Sequence, residues 1–554
     1  MIPKTPQREQ DLLRAAADIV ARGESALRRL VASLKRKVAR DGKPAPAELD
    51  RHQSEGFRLA HLYAQAFAAR CALPSGKLGE LEALLAVAGA GLTANLLREQ
   101  LPVLAMQLDC ADGGPLAFAQ EAGVLDLVRH TSSPSFHGQV LDAIERRQSF
   151  GADGLDEERR LLRQSFRSFA EKRVKPVAER WHREDELIPD ELIREAAALG
   201  CFGLSIPQAY GGVQDKPDSL GMVLVTEELC RGSLIFGSLI TRPEILARAL
   251  LKGGTERQRA RFLPPMASGE QMVAISVTEP DFGSDVANIH CSARRAEGGW
   301  RLNGTKLWCT FAGRAELIGL LARSEPDPGL GYKGLSMFVV EKPAFYGHDF
   351  EHRPAHGGRL AGRAIATQGY RGMHSYELVF EDYPVPAANL IGEEAGRGKG
   401  FYLQMEGFAF GRLQTAGRAL GLMQAALEAA TGYARERQVF GQPLIRFGLT
   451  QEKLVRMAAL VHMSRQACYA AARRLDESPA EAQMEASLVK FLACRQAEWV
   501  TREAQQIHGG MGYAEEFAVS RLFVDARVLS IFEGAEEVLA LKVILPALLK
   551  AHEE

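Results

Sequence analysis

The sequence predicts a mainly helical protein with a central β domain, in the order helical, β, helical, preceded by an extra helical block. Three observations lead there. Apolar residues recur at helical spacing over most of the 554 residues. A cluster of short β-branched runs bounded by Gly, Pro or Asp interrupts that pattern from Val273 onward. After Gly400 the helical period returns and holds nearly to Glu554. At about 150 residues per domain, such a length implies three or four units.

The first element is a long amphipathic helix over 11–40, with Leu12, Ala16, Ile19, Val20, Leu27, Leu30, Val31, Leu34 and Val38 on one face and Arg and Lys on the other. Gly42, Pro44 and Pro46 in DGKPAP end it. Helical pattern follows from Leu59 to Ala69, Leu78 to Leu97 and Leu116 to Ile144, with a loop expected near Ser132, Ser133, Pro134 and Gly138. Gly151 to Gly154 reads as a linker, so 1–150 is expected to be a helical unit of its own. A second helical domain is expected over 151–272, a β domain over 273–395 and a last helical domain over 396–554. The strand-like runs are MVAISVTEP, GWRLNGTKLWCT, ELIGLLARS, LSMFVVEKP and YELVFEDYPV. No repeat of fixed period runs through the chain.

Composition narrows the function classes. Lys plus Arg is 68 against 69 Asp plus Glu, so no basic footprint for nucleic acid exists. With 46% hydrophobic and 25% charged residues the chain is globular rather than disordered. The closest approach to a membrane span, Ala83 to Leu97, is short and broken by Gly89, Gly91, Thr93 and Asn95, so no span is expected. The opening MIPKTPQREQ has no apolar core, and no secretory signal is expected. Eight scattered cysteines without a C-x-x-C pair fit reduced thiols in a cytoplasmic protein.

Four clusters carry chemistry. Thr278-Glu279-Pro280-Asp281-Phe282-Gly283-Ser284-Asp285 is a strand end running into a turn that offers hydroxyls and free N–H groups, where Gly283 leaves room for a pyrophosphate or flavin edge. An ordinary hairpin turn is the other reading. In Lys306-Leu307-Trp308-Cys309-Thr310, a Trp and a Thr two apart on a strand share a face and make a wall for a planar group; a core Trp beside a solvated Thr is the alternative. Gln506-Ile507-His508-Gly509-Gly510-Met511-Gly512-Tyr513 precedes Ile531-Phe532-Glu533-Gly534-Ala535. Glu533, between bulky apolar residues and a glycine, is a candidate base, because an apolar pocket disfavours the charged carboxylate.

With Gly369-Tyr370-Arg371-Gly372-Met373 and Arg437-Gln438-Val439-Phe440-Gly441, these clusters resemble the acyl-CoA dehydrogenase family from about residue 155 to the end. The resemblance implies an α-helical, β-barrel-like and four-helix-bundle fold, to which the N-terminal helical block is an addition. It also implies FAD as cofactor and formation of a trans double bond between Cα and Cβ of an acyl-CoA. By that analogy Glu533 takes the α-proton while a hydride leaves Cβ for flavin N5. Its backbone N–H and a ribityl hydroxyl polarise the thioester carbonyl. Carried over, Val277, Thr278, Gly283 and Ser284 contact flavin or its phosphate, and Trp308 and Thr310 flank the ring system. Arg437, Phe440, Gln506, Ile507, Gly509 and Gly510 reach the FAD of a neighbouring subunit, which implies an obligate homodimer or homotetramer. Ser284, Arg412, Gly534 and Arg242 are the candidate substrate contacts.

Two positions depart from the family pattern. Ala409 stands where many members have Asp three residues before the arginine at 412, and Ala535-Glu536-Glu537 replaces a Thr-x-Gln. The block at 1–150, with the Ser238 to Arg242 stretch, is similar to members that oxidise methylsuccinyl-CoA to mesaconyl-CoA in the ethylmalonyl-CoA pathway. A substrate of that kind ends in a free carboxylate, for which Arg242 and Arg412 are the candidate cations; a structural ion pair is the other reading of Arg242. Electron-transferring flavoprotein is the expected acceptor. A generic short- or branched-chain acyl-CoA dehydrogenase, an acyl-CoA oxidase, a flavin monooxygenase and a non-enzymatic flavin-binding interaction protein are the competing readings. His348, His352 and His356 are spaced four apart, but Gly347, Pro354, Gly357 and Gly358 argue against a shared helix, so no metal is expected.

Overall fold

The computed structural model describes residues 6–40, 43–73, 78–111, 113–147, 154–213, 216–479 and 482–551. They fall into two compact units, one built from Met1–Arg160 and Thr415–Glu554, the other from Leu161–Gln414.

In the first unit the expected long helix runs Pro6–Val38, with Leu27, Leu30, Val31, Leu34 and Val38 fully buried. Helices Gln53–Ala72 and Glu80–Gln107 follow. The loop expected through Gly138 is shorter than the sequence suggested. Helix Pro134–Arg147 begins at the proline itself, whose fixed φ and missing N–H suit a first helical position, and the Ser133 hydroxyl accepts the Phe136 N–H. The expected linker lies outside the described residues except for Gly154.

These helices share their core with Gly448–Glu477 and Gln483–His508. A Cβ at Gly89 would sit 2.5 Å from Met463 Sδ, so the glycine sets how closely Glu80–Gln107 and Gly448–Glu477 approach. A buried polar ladder crosses the same seam, where Ser464 donates to Gln496, Gln496 to Gln65 (3.2 Å) and Gln65 to Thr93 (3.1 Å). Glu80–Gln107 is, contrary to the sequence reading, long and apolar enough to cross a membrane, yet 72% of its apolar window is buried inside the protein. Burial within a helical layer accounts for its composition.

The second unit packs helices Arg242–Gly253 and Glu256–Ala267 on an eight-stranded mixed sheet. Leu246, Leu250, Phe262, Leu263 and Met266 meet Val273, Leu317, Leu321, Leu335 and Met337 in one core. All five strand-like runs form strands. Three further strands, Ser292–Ala296, Asp349–His352 and Arg359–Ile365, lacked a β-branched signature and are held by their partners. His352 thus lies in a strand, and its spacing from His348 and His356 is not helical.

Gly89→Val is expected to destabilise the first unit by about 1–3 kcal/mol through overpacking. Gly432→Ala, where a Cβ meets nothing within 4 Å, serves as the control in denaturant unfolding.

Candidate active site

In the second unit, two of the sequence clusters lie side by side. The Leu307 N–H donates to the Thr278 carbonyl (2.9 Å), and the Lys306 ammonium donates to the Val277 carbonyl (2.8 Å) and to Glu279 Oε1 (2.9 Å). Glu279 in turn accepts the N–H groups of His290 (2.6 Å) and Cys291 (2.8 Å). Lys306 is fully buried and Glu279 nearly so, so this pair fixes the turn from below. Above it, Gly283 and Ser284 are exposed, and a Cβ at Gly283 would meet nothing within 4 Å.

The sequence placed Trp308 and Thr310 on one face of a regular strand. The structure corrects this. Strand Gly299–Thr310 carries a bulge opposite Glu377, between the pairs Leu378–Lys306 and Tyr376–Cys309, and Trp308 has φ +58°. Its indole is 54% exposed, whereas Thr310 is buried and within 2.9 Å of Ser375 Oγ. An exposed indole on a strained bulge beside a Gly-containing turn is a surface prepared for a planar ligand. Between the two, burial pushes the Cys309 thiol up to about 12, so it stays protonated and unreactive.

Arg242 is buried at the start of its helix, and Nη2 donates to the Tyr370 hydroxyl (3.1 Å). Its Nε has no partner, and among the described residues no carboxylate pairs with it. The ion pair offered as the alternative reading is thus absent among the described residues. Arg412 is half-buried, with its guanidinium 5.9 Å from the Phe408 ring.

In the first unit, Glu533 sits at φ +53° in a tight loop, followed by Gly534 at φ +96°. The loop is closed by the Glu536 N–H on the Ser530 carbonyl (3.2 Å). Helix Gln483–His508 holds it at three points. Buried Lys490 donates to the Gly534 carbonyl (2.6 Å), Arg495 pairs with Glu536 (2.9 Å), and the Ser530 hydroxyl donates to Glu498. Glu533 is half-buried, and its carboxylate makes no hydrogen bond or ion pair among the described residues. Phe57, from the N-terminal helices, lies under the Arg495 guanidinium (5.4 Å). A cavity of about 590 Å³ opens beside this clasp, lined by His61, Asn95, Arg456, Trp499 and Glu536 among others.

Phe440 and Gly441 form a two-residue hairpin turn with φ +49° and +81°, and the Phe440 ring is 94% exposed. Arg437 and Gln506 are exposed as well. A Cβ at Gly509 or Gly510 would meet nothing within 4 Å. Ile507 is buried, and His508 stacks on Tyr433 at 4.3 Å, so both side chains are engaged within the protein.

Residues 156–270, 274–383 and 398–548 match the N-terminal, middle and C-terminal domains of acyl-CoA dehydrogenase. The (2S)-methylsuccinyl-CoA dehydrogenase of Cereibacter sphaeroides is 38% identical over 543 residues, 96% of this chain and 97% of that one. The chain belongs to the acyl-CoA dehydrogenase family. Two solved structures share its fold. One is a chain in the structure of the electron transferring flavoprotein of Acidaminococcus fermentans (29% identity, TM-score 0.66, covering 73% of this chain and 100% of that one). The other is glutaryl-CoA dehydrogenase from Mycobacterium smegmatis in complex with FADH2 (27% identity, TM-score 0.63, covering 71% and 95%).

This acyl-CoA dehydrogenase is an FAD-dependent oxidoreductase. The open glycines and exposed aromatic surfaces above fit that cofactor. Sequence reasoning missed Lys306, Glu279, Lys490 and Glu498, because a charged residue inside a helical or strand pattern reads as solvent-facing until its partner is known.

Lys490→Met is expected to lower kcat about 10- to 100-fold with FAD content unchanged, since a small displacement of a reacting group costs about that much. Lys306→Met leaves the Glu279 carboxylate buried without its cation and is expected to cost about 3–5 kcal/mol of stability together with FAD retention. Steady-state kinetics, flavin absorbance of the purified variants and denaturant unfolding separate the two outcomes.

Proposed function

We propose that this enzyme oxidises a short branched acyl-CoA ending in a free carboxylate, methylsuccinyl-CoA to mesaconyl-CoA, and passes the electrons to an electron-transferring flavoprotein. The observation that carries the substrate reading is Arg242, a buried guanidinium with the Tyr370 hydroxyl as partner and, among the described residues, no carboxylate paired with it. A buried cation without a counter-charge is costly, and a substrate carboxylate would supply it. The Cereibacter sphaeroides relative supports the same reading, because its match runs through the N-terminal block, whereas the two solved structures cover 73% and 71% of the chain.

Glu533 is the base that takes the α-proton. Its carboxylate is free to do so, because the clasp from Lys490, Arg495 and Glu498 falls on its neighbours and spares the side chain itself. The Glu533 N–H, uncommitted among the described residues, polarises the thioester carbonyl as negative charge builds on its oxygen. When bound, FAD would supply the acceptor for the hydride that leaves Cβ. Val277, Thr278, Gly283 and Ser284 hold its polar edge, and Trp308 and Thr310 border its ring. Arg437, Phe440 and the segment from Gln506 to Gly510 serve the FAD of a neighbouring subunit in a homodimer or homotetramer, which gives the 94%-exposed Phe440 ring a function. Arg412 and Gly534 border the acyl thioester. The eight cysteines are free thiols, in keeping with a cytoplasmic enzyme.

Turnover of methylsuccinyl-CoA, butyryl-CoA and isobutyryl-CoA tests the reading. Methylsuccinyl-CoA is expected to be preferred, and a large preference for butyryl-CoA would overturn the substrate assignment. Arg242→Met is expected to lower kcat/KM for methylsuccinyl-CoA about 100-fold, the loss of a charge-assisted contact of roughly 2–3 kcal/mol, and to leave butyryl-CoA within a few fold. Rapid peroxide formation on mixing the reduced enzyme with oxygen would favour an oxidase instead.

A further inference from the structure

The histidines at 348, 352 and 356 do not converge, but one of them meets two residues far away in sequence. His348 Nε2 lies 2.9 Å from Asp185 Oδ2, and His374 Nε2 lies 3.1 Å from Asp185 Oδ1. The two imidazoles meet edge to face at 4.6 Å, and all three ligand atoms lie within 4.8 Å of one another. The three residues belong to the second unit and come from three segments. Asp185 follows helix Lys175–Glu184, His348 precedes strand Asp349–His352, and His374 precedes strand Ser375–Pro386.

We propose that Asp185, His348 and His374 form a binding site for a divalent cation of the zinc class, outside the flavin and acyl-CoA machinery.

Two nitrogens and one carboxylate oxygen are the ligand set that borderline cations prefer. Tetrahedral zinc with bonds of about 2.0–2.1 Å holds its donors about 3.3 Å apart, so modest side-chain rotations suffice. Among the described residues no lysine or arginine pairs with Asp185, and its only ionic contacts are the two histidines. That carboxylate therefore lacks a permanent positive partner, and a cation would provide one. The geometry also permits entry and a fourth ligand. His348 is exposed and Asp185 partly so, while His374 is buried and anchors the floor. Water completes the coordination from the open side, which is a site of three protein ligands with one position left free.

A bound cation would cross-link the end of helix Lys175–Glu184 to the turn from Gly369 to His374. Existing contacts already run along this path. Arg371 donates to the His182 carbonyl (3.2 Å), and the Ile188 N–H donates to the Gly372 carbonyl (3.2 Å). The same turn carries Tyr370, the hydroxyl partner of Arg242. Occupancy would therefore stiffen the support of Arg242 without touching a reacting atom.

The test uses the full-length FAD-loaded enzyme, stripped with a chelator and titrated with Zn2+ alone. Metal content after dialysis, competition with a chelating dye and thermal unfolding are read in wild type, His348→Ala and Asp185→Asn. One Zn2+ per chain in wild type, a raised Tm on loading and at least a tenfold weaker affinity in both variants are expected. His348 is exposed, so its replacement preserves folding, and His348→Ala is expected to keep its basal turnover. Retention of no Zn2+ by wild type at micromolar metal, or the same stoichiometry and affinity in wild type and both variants, would overturn the site.

Discussion

The proposed chemistry depends on how one short loop is held. Between Ser530 and Glu536 the chain takes two consecutive left-handed residues, Glu533 and Gly534, a conformation that is unfavourable for a glutamate. It persists because helix Gln483–His508 supplies three anchors spaced along its length, Lys490 to the Gly534 carbonyl, Arg495 to Glu536, and Glu498 to the Ser530 hydroxyl. Each anchor takes a group other than the Glu533 carboxylate. Glu533 is thus fixed in backbone position while its carboxylate stays uncommitted among the described residues, as the proposed role of general base requires.

The N-terminal helices gain a purpose from the same geometry. Phe57 packs against Arg495, one of the three anchors, and the buried ladder from Thr93 through Gln65 and Gln496 to Ser464 ties those helices to the C-terminal ones. Gly89 lets the backbones come close enough for this to happen. The block at the start of the chain is therefore part of the structure that carries the Glu533 loop. The anchor at Glu536 also suits the local departure from the family pattern. Where the resemblance led one to expect a Thr-x-Gln, this chain places acidic residues, and one of them is the partner of Arg495.

Much of this was legible in the sequence, for identifiable reasons. Period and punctuation located the first helix and five of the strands, since these elements bury a regular apolar face. The turn at Thr278–Asp285 and the loop at Ile531–Ala535 stood out because glycine and polar residues occur there together. What escaped was whatever depends on a partner distant in sequence. Lys306 and Lys490 read as ordinary charged residues until Glu279 and the Gly534 carbonyl are placed beside them. The bulge at Trp308 is set by pairing with strand Ser375–Pro386, which residue alternation within one strand does not encode. Strands Ser292–Ala296 and Arg359–Ile365 carry charged and small residues and exist because their neighbours offer hydrogen-bonding edges.

The most direct test of the account is anaerobic mixing of the FAD-loaded enzyme with methylsuccinyl-CoA, following loss of the oxidised flavin absorbance, in wild type and in Glu533→Gln. The account predicts rapid bleaching in wild type. In the variant, which keeps its size and its yellow colour, bleaching should be slower by about a thousandfold or more, in line with loss of a positioned proton acceptor. Bleaching at an undiminished rate in Glu533→Gln would contradict it.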